Sequence, residues 1–376
     1  MLAQGTDLLY RQALASSHRP YLRVEVWVAD GSERLASDLI YETGSIRASL
    51  SSRVTRTFDF TVDESLFPFQ VDDLLNPYSR EVRAFRGIEF ADGNRYVWPV
   101  FRGRIINVRL GPEATATVSC NDRAGDVVTA TFEAPHNSQV GQLVSDEVRR
   151  LIVGGLPDAT FGTFDSFFQT VPIESWEHDR AGALDEMATS VGAFWYALAD
   201  GDFVLRKKPW TIPGDPVVTF SDATVDSDAP PTITGSSVER SREDVYNSVT
   251  VTGERADGTM PVFYTARDED PANVTFIDGP FGVKNKLVSL RTPQLQGTAR
   301  EAAQDQLRSS TALVETWDFA TTVDAALELG DVIRLDARGQ RNTIQVVASF
   351  ALPMNLDGSG SMQVSCRAQV IGTLED

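Results

Sequence analysis

The strongest constraint on this chain is a period-two alternation of apolar and polar residues that fills its first third. In YLRVEVWVAD (21–30), Leu22, Val24, Val26 and Val28 share one face. TRTFDFTVDES (55–65) sets Phe58, Phe60 and Val62 against Thr57, Asp59 and Thr61. SIRASLSSRV, VRAFRGIEF, YVWPVFRGRIINVRL and ATATVSCND continue the pattern, separated by turns at Gly31-Ser32 and at ADGNR (91–95). Closely spaced strands joined by turn residues predict an antiparallel barrel or sandwich over residues 21–133. Ahead of it, Leu2, Leu8, Leu9, Ala13 and Leu14 suit a short amphipathic helix ending before Pro20, an N-terminal arm of residues 1–20.

The period changes over 134–212. Val140, Leu143, Val144, Val148, Leu151 and Ile152 recur at helical spacing up to Gly154-Gly155. Ala183, Leu184, Met187, Ala188 and Val191 form a second stripe that stops near Gly192. AFWYALADGDFVLRKKP then reads as a hairpin turning at Asp200-Gly201. This is a small α+β module, closed by a boundary at Pro209, Pro213, Gly214 and Pro216.

From 213 to 376 the chain is mostly β again, with its clearest strands in VYNSVTVTGE, VETWDFATTVD, GDVIRLDA, TIQVVASFAL and MQVSCRAQVIG. Residues 254–311 read as an inserted loop and helix region. Its helix, at 293–310, buries Ala299, Ala302, Ala303 and Leu307. The two β regions echo each other. GRIINVRL leads into ATATVSCND, and IQVVASFAL leads into SMQVSCRAQ, so the only two cysteines, Cys120 and Cys366, occupy matched Val-Ser-Cys positions. That echo predicts two copies of one barrel, with both cysteines as small core residues too far apart to bridge.

Composition excludes several functions. With 53 acidic against 34 basic residues the formal charge is −19, which opposes a nucleic-acid clamp or docking on anionic lipid. Residues 211–280 hold 13 Asp/Glu and four Arg, so nearly half of the excess sits there. No secretory leader and no run of about 20 apolar residues is evident, and the chain reads as soluble and made in the cytoplasm. Asn273-Val274-Thr275 matches a glycosylation sequon without other signs of a secretory route.

Phosphate-cradling loops, a GxSxG elbow, an HExxH helix and a CxxC pair are all missing. His18, His136 and His178 fall in different regions; His178, in ESWEHDR with Glu174, Glu177 and Asp179, reads as a solvated segment before a helix. NLDGSGS (355–361) lacks the ligands of a calcium loop and reads as a hairpin turn. Asp331 marks a turn into a strand. Trp27, Trp98, Trp176, Trp195, Trp210 and Trp317 read as core residues rather than a sugar platform, and Arg206-Lys207-Lys208 is too small for a nucleic-acid site. No catalytic, cofactor-binding or metal-binding residue is assigned, and no cofactor is expected.

Taken in order, YLRVEVWVADG, SIRASLSSRVTRTFDFTVDES, NPYSREVRAFRGIEFADGNRYVWPVFRGRIINV and VYNSVTVTGE resemble the tail hub proteins of siphophages. The resemblance is to minor tail proteins of phages infecting actinobacteria, similar in architecture to the baseplate hub of contractile-tailed phages. It spans about 21–371, and its most telling stretch runs from Asn76-Pro77-Tyr78 through Val82–Gly87 to Pro99–Gly103. It implies a mainly β chain with two tail-tube-like antiparallel β-barrels and a peripheral α+β domain. It further implies a homotrimer whose six barrels match the sixfold tail tube while the other side meets a central fibre or tip. Implied partners are a tube ring or distal tail protein, a tape measure protein and tip proteins, with DNA only as transient cargo past an acidic wall. Such a chain is a structural virion protein at the tail tip, not an enzyme. The alternatives are a carbohydrate-binding tail-tip module recognising the host envelope and the hub of a non-viral injection device.

Overall fold

The computed structural model describes residues 10–14, 18–208, 215–253, 262–290, 296–311 and 315–368. Residues 10–14 are helical, and Tyr10 and Leu14 are buried; Leu2, Leu8 and Leu9 of the expected arm lie outside the described residues. The first β region comprises β1 (Arg19–Val28), β2 (Arg34–Ala36), β3 (Gly44–Ser49), β4 (Arg56–Asp63), β5 (Arg80–Glu89), β6 (Arg95–Leu110) and β7 (Thr115–Asp122). Their alternation has its expected consequence: Val24, Val26, Phe58, Phe60 and Val62 are buried along one face. Pro99, inside β6, is tolerated because the β5–β6 ladder shifts register there, between Ala84 and Phe85.

The middle region holds α1 (Ala124–Thr129), β8 (His136–Asn137), α2 (Val144–Gly155), β9 (Ser175–Trp176), α3 (Arg180–Ser190), β10 (Ala193–Ala197) and β11 (Phe203–Lys207). One hydrophobic cluster joins Val148, Leu151, Leu184 and Met187 to Trp195 and Phe203. α3 starts where Asp179 accepts the N–H of Gly182 at 2.8 Å and stops at Gly192, whose φ of +67° suits glycine. The expected α2 stripe is two residues too long at its start. Gly141 takes a φ of +83°, and the helix begins at Val144, leaving Val140 and Leu143 exposed.

The last region contains β12 (Val218–Ser221), β13 (Ile233–Arg240), β14 (Ser248–Gly253), β15 (Val262–Arg267), β16 (Asn285–Ser289), α4 (Gln296–Thr311), β17 (Glu315–Thr321), β18 (Val332–Ala337), β19 (Gln340–Pro353) and β20 (Met362–Ala368). The stretch expected as loop and helix also carries two strands. β15 and β16 flank β14 in a three-stranded sheet against which Ala302 and Ala303 of α4 pack. β16 alternates between exposed and half-buried residues, so it presents no fully apolar face. Of the expected helix, residues 293–295 lie outside the described residues.

The strand pairing joins the two β regions. One 13-stranded sheet runs β13-β17-β20-β19-β3-β4-β7-β6-β5-β1-β2, with β18 on β19 and β12 on β18, and no ring of strands closes among the described residues. The physical reason is the length of β19. Its first half pairs with β18, and its second half reaches past β18 to pair with β3, so a strand of each β region satisfies the other's edge. A single core follows, in which Phe58, Phe60 and Phe101 lie with Trp317, Phe319 and Phe350.

Candidate functional site

The feature that stands out is the sheet itself, which is built twice. In chain order the strands β1, β3, β4, β5, β6 and β7 pair in the order β1-β5-β6-β7-β4-β3. The strands β12, β13, β17, β18, β19 and β20 pair in the corresponding order β12-β18-β19-β20-β17-β13. The match extends to single residues. Ile105 faces Cys120, the ladder then skips Ile106, and Asn107 and Val108 face Ser119 and Val118. Val347 faces Cys366, the ladder skips Ala348, and Ser349 and Phe350 face Ser365 and Val364. On the other side of each Cys strand, Phe58 and Phe60 oppose Cys120 and Val118, as Trp317 and Phe319 oppose Cys366 and Val364. A bulge shared at one position in two hairpins is a duplicated design feature. One strand departs from the scheme, since β1 lies antiparallel to β5 while β12 lies parallel to β18.

This duplication was only half visible in sequence. The cysteines mark it, and Thr57-Phe58-Asp59-Phe60 against Thr316-Trp317-Asp318-Phe319 is an equally good signal. Both cysteines are buried, and burial raises both thiols well above their usual range.

The two copies and the α+β module meet at Arg56. Its side chain is buried, donates to the Ala197 carbonyl at 3.0 Å and pairs with Glu328. Its backbone N–H and the Thr55 hydroxyl both donate to Asp122 at 2.7 Å. Burial outweighs these donors and pushes the Asp122 carboxyl up to about 6. A second link runs from Arg86 of β5 to the carbonyl of Pro353 on β19. Around the β3–β19 junction lies a shallow groove of about 420 Å³ lined by Thr43, Ser45, Asp59, Thr61, Ser361 and Gln363.

His136 stacks on Phe132 with ring centres 4.6 Å apart and meets Arg150 at 2.6 Å; burial and that guanidinium lower its pKa. His178 is exposed and also reaches Phe132, at its carbonyl, so two of the three histidines meet the same residue. Trp176, Trp195 and Trp317 are buried and Trp27 and Trp98 half-buried; Trp210 lies outside the described residues. Arg206 bonds the Tyr196 hydroxyl, and Lys208 pairs with Asp305 at 3.1 Å. Asn273 is held by Asp268 at 2.8 Å, and residues 355–361 form the β19–β20 turn. Among the described residues no group of three or more His, Cys, Asp or Glu side chains could hold a metal ion, and no helix is long and apolar enough to cross a membrane.

No protein-family model matches the chain, and no curated protein matches its sequence. Solved structures do. The chain is similar to a tail protein from Neisseria meningitidis MC58, with a TM-score of 0.66 and 17% identity over 93% of this chain and 98% of that one. It is similar to the 43 kDa tail protein of prophage MuSo2 from Shewanella oneidensis, with a TM-score of 0.60 and 12% identity over 93% and 98% of the two chains. Against a chain of the half-lidded Francisella PdpA–VgrG complex the TM-score is 0.52 at 8% identity, covering 96% of this chain and 59% of that one. The fold is therefore shared with phage tail proteins.

Proposed function

We propose that this chain is the hub of a phage tail: a structural virion protein that forms a homotrimer at the distal end and carries no catalytic activity. The observation that carries the reading is the duplicated six-stranded unit. Three chains with two units each supply six similar wall segments, which fit a sixfold tail tube, while the departures between copies leave true threefold symmetry for a central fibre or tip. Each unit would form one tail-tube-like barrel wall, with residues 1–20 as an arm, 21–133 and 213–376 as the two β domains, and 134–212 as the peripheral domain. A tube ring or distal tail protein, a tape measure protein and tip proteins are the expected neighbours. DNA would pass through the ring as cargo, and the charge of −19 suits a wall that repels phosphate. Likeness to a chain of the PdpA–VgrG complex favours one second reading, the same hub in a non-viral injection device. Native mass spectrometry tests the trimer: a species at three times the 41.2 kDa chain mass is expected, and a stable dimer would count against it.

A further inference from the structure

The duplication specifies how one copy of the chain meets the next. Within the chain, β19 of the second unit pairs with β3 of the first: Ser349 faces Ser49, Phe350 faces Ala48, Ala351 faces Arg47 and Leu352 faces Ile46. By the matched bulges, Ser349–Leu352 correspond to Asn107, Val108, Arg109 and Leu110 on β6. By their pairing with β4 and β17, Ile46, Arg47 and Ala48 correspond to Val238, Glu239 and Arg240 on β13. Among the described residues no strand pairs with the side of β6 away from β7 beyond Arg104, and none with the outer edge of β13. The junction used once inside the chain thus has its two halves left over at opposite places in the sheet.

We infer that the free edge of β13 in one copy pairs with the second half of β6 in another copy, in the register that β3 and β19 use within the chain. The inference rests on the ring reading above and adds to it the contact that closes the ring.

Three observations carry it. First, exposure marks the missing partners. Leu352 and Ile46 are 2% and 0% exposed, whereas their counterparts Leu110 and Val238 are 42% and 39% exposed, and this register sets them opposite each other. Ile106, at 54%, stands where Ala348 is buried. Second, charge agrees with register, because Arg109 comes to face Glu239 and both are exposed. The bonds Met354 N–H to Gly44 O and Leu50 N–H to Ala348 O fix the alternation of the ladder. They put the 351–47 position, and hence 109–239, at a closely facing pair. Third, the far end of the edge is already closed. Ser236, the counterpart of Gly44, gives its carbonyl to Arg338 at 2.7 Å, and the counterpart of Met354 is Pro112, which has no N–H to offer.

Single variants Arg109→Cys and Glu239→Cys are mixed at high protein concentration under mild oxidation, and association is followed in parallel by native mass spectrometry. A disulfide-linked dimer is expected, because directly facing residues lie within bridging range. Arg109→Cys mixed with Ser237→Cys, two residues off register, should link far less. A chain carrying both Arg109→Cys and Glu239→Cys should give covalent species that stop at three copies, because a heterologous contact that closes makes a ring and one that does not makes a filament. Arg109→Glu should weaken association about two- to fivefold per contact through like charge, and adding Glu239→Arg should restore it. Trimers that form without the 109–239 link, or that link better at 109–237, overturn the inference and leave the ring reading standing. A chain that stays monomeric at millimolar concentration overturns both.

Discussion

The buried guanidinium of Arg56 donates a 3.0 Å hydrogen bond to the carbonyl of Ala197, tying the first β unit to the α+β module. The same side chain pairs with Glu328 in the second unit, so one residue touches all three parts. Arg56→Met would keep much of the volume while leaving that carbonyl only the Thr55 hydroxyl at 3.5 Å and Glu328 without its ionic partner. The expected loss is about 2–4 kcal/mol in urea denaturation. An unchanged midpoint would mean that the junction is held by apolar packing alone.

Gly103 of β6 faces Asp122 of β7. A Cβ there would sit 1.9 Å from the Asn121 carbonyl oxygen, a backbone atom that cannot turn aside. Gly103→Ala should therefore destabilise by more than about 3 kcal/mol or abolish soluble expression. Gly235→Ala, with no atom within 4 Å, should change thermal stability little in the isolated chain.

Burial, reinforced by the neighbouring Asp324, pushes the Asp331 carboxyl from its ordinary 3.8 up to about 7. The folded state thus holds a proton that the unfolded state releases. This contribution to stability is fully present below about pH 4 and is lost as pH rises through about 7. Asp331→Asn keeps an acceptor for the N–H of Glu328 and removes the titration. Its advantage over the natural chain should grow by on the order of a few kcal/mol between pH 5 and pH 8 in paired urea titrations. A difference that stays constant with pH would refute the assignment.

Cys120 and Cys366 occupy matched, buried positions with thiols raised by burial. Neither should react with a thiol reagent in the folded chain, and both should react on unfolding. Cys120→Ser and Cys366→Ser should each cost about 1–3 kcal/mol, by similar amounts, because each leaves a hydroxyl in an equivalent apolar site. Rapid labelling of one cysteine in the native state would break the equivalence.

Strands that alternate cleanly were legible in sequence, as were helices with a buried stripe such as Ala183, Leu184 and Met187. So was the matched placing of the two cysteines. Joining the two β regions into one sheet was not legible. It depends on β19 being long enough to serve two partners, and nothing in IQVVASFAL distinguishes the half that pairs with β18 from the half that pairs with β3. Glu25 and Glu81 were equally opaque: their alternation assigns them to solvent, yet both are buried under arginines, with Arg83 and Arg102 each donating to Glu81. The edge residues Arg109, Leu110, Val238 and Glu239 carry no motif. Their meaning appears only when the register of one copy is laid on the other.

In the proposed assembly, two copies of one unit per chain build a threefold ring at a tail end. Cryo-electron microscopy of assembled tails tests it most directly. Three chains around the axis, presenting six similar β units to the tube, is the predicted result. Density for this chain off the axis, or in a ring of any other order, would contradict it.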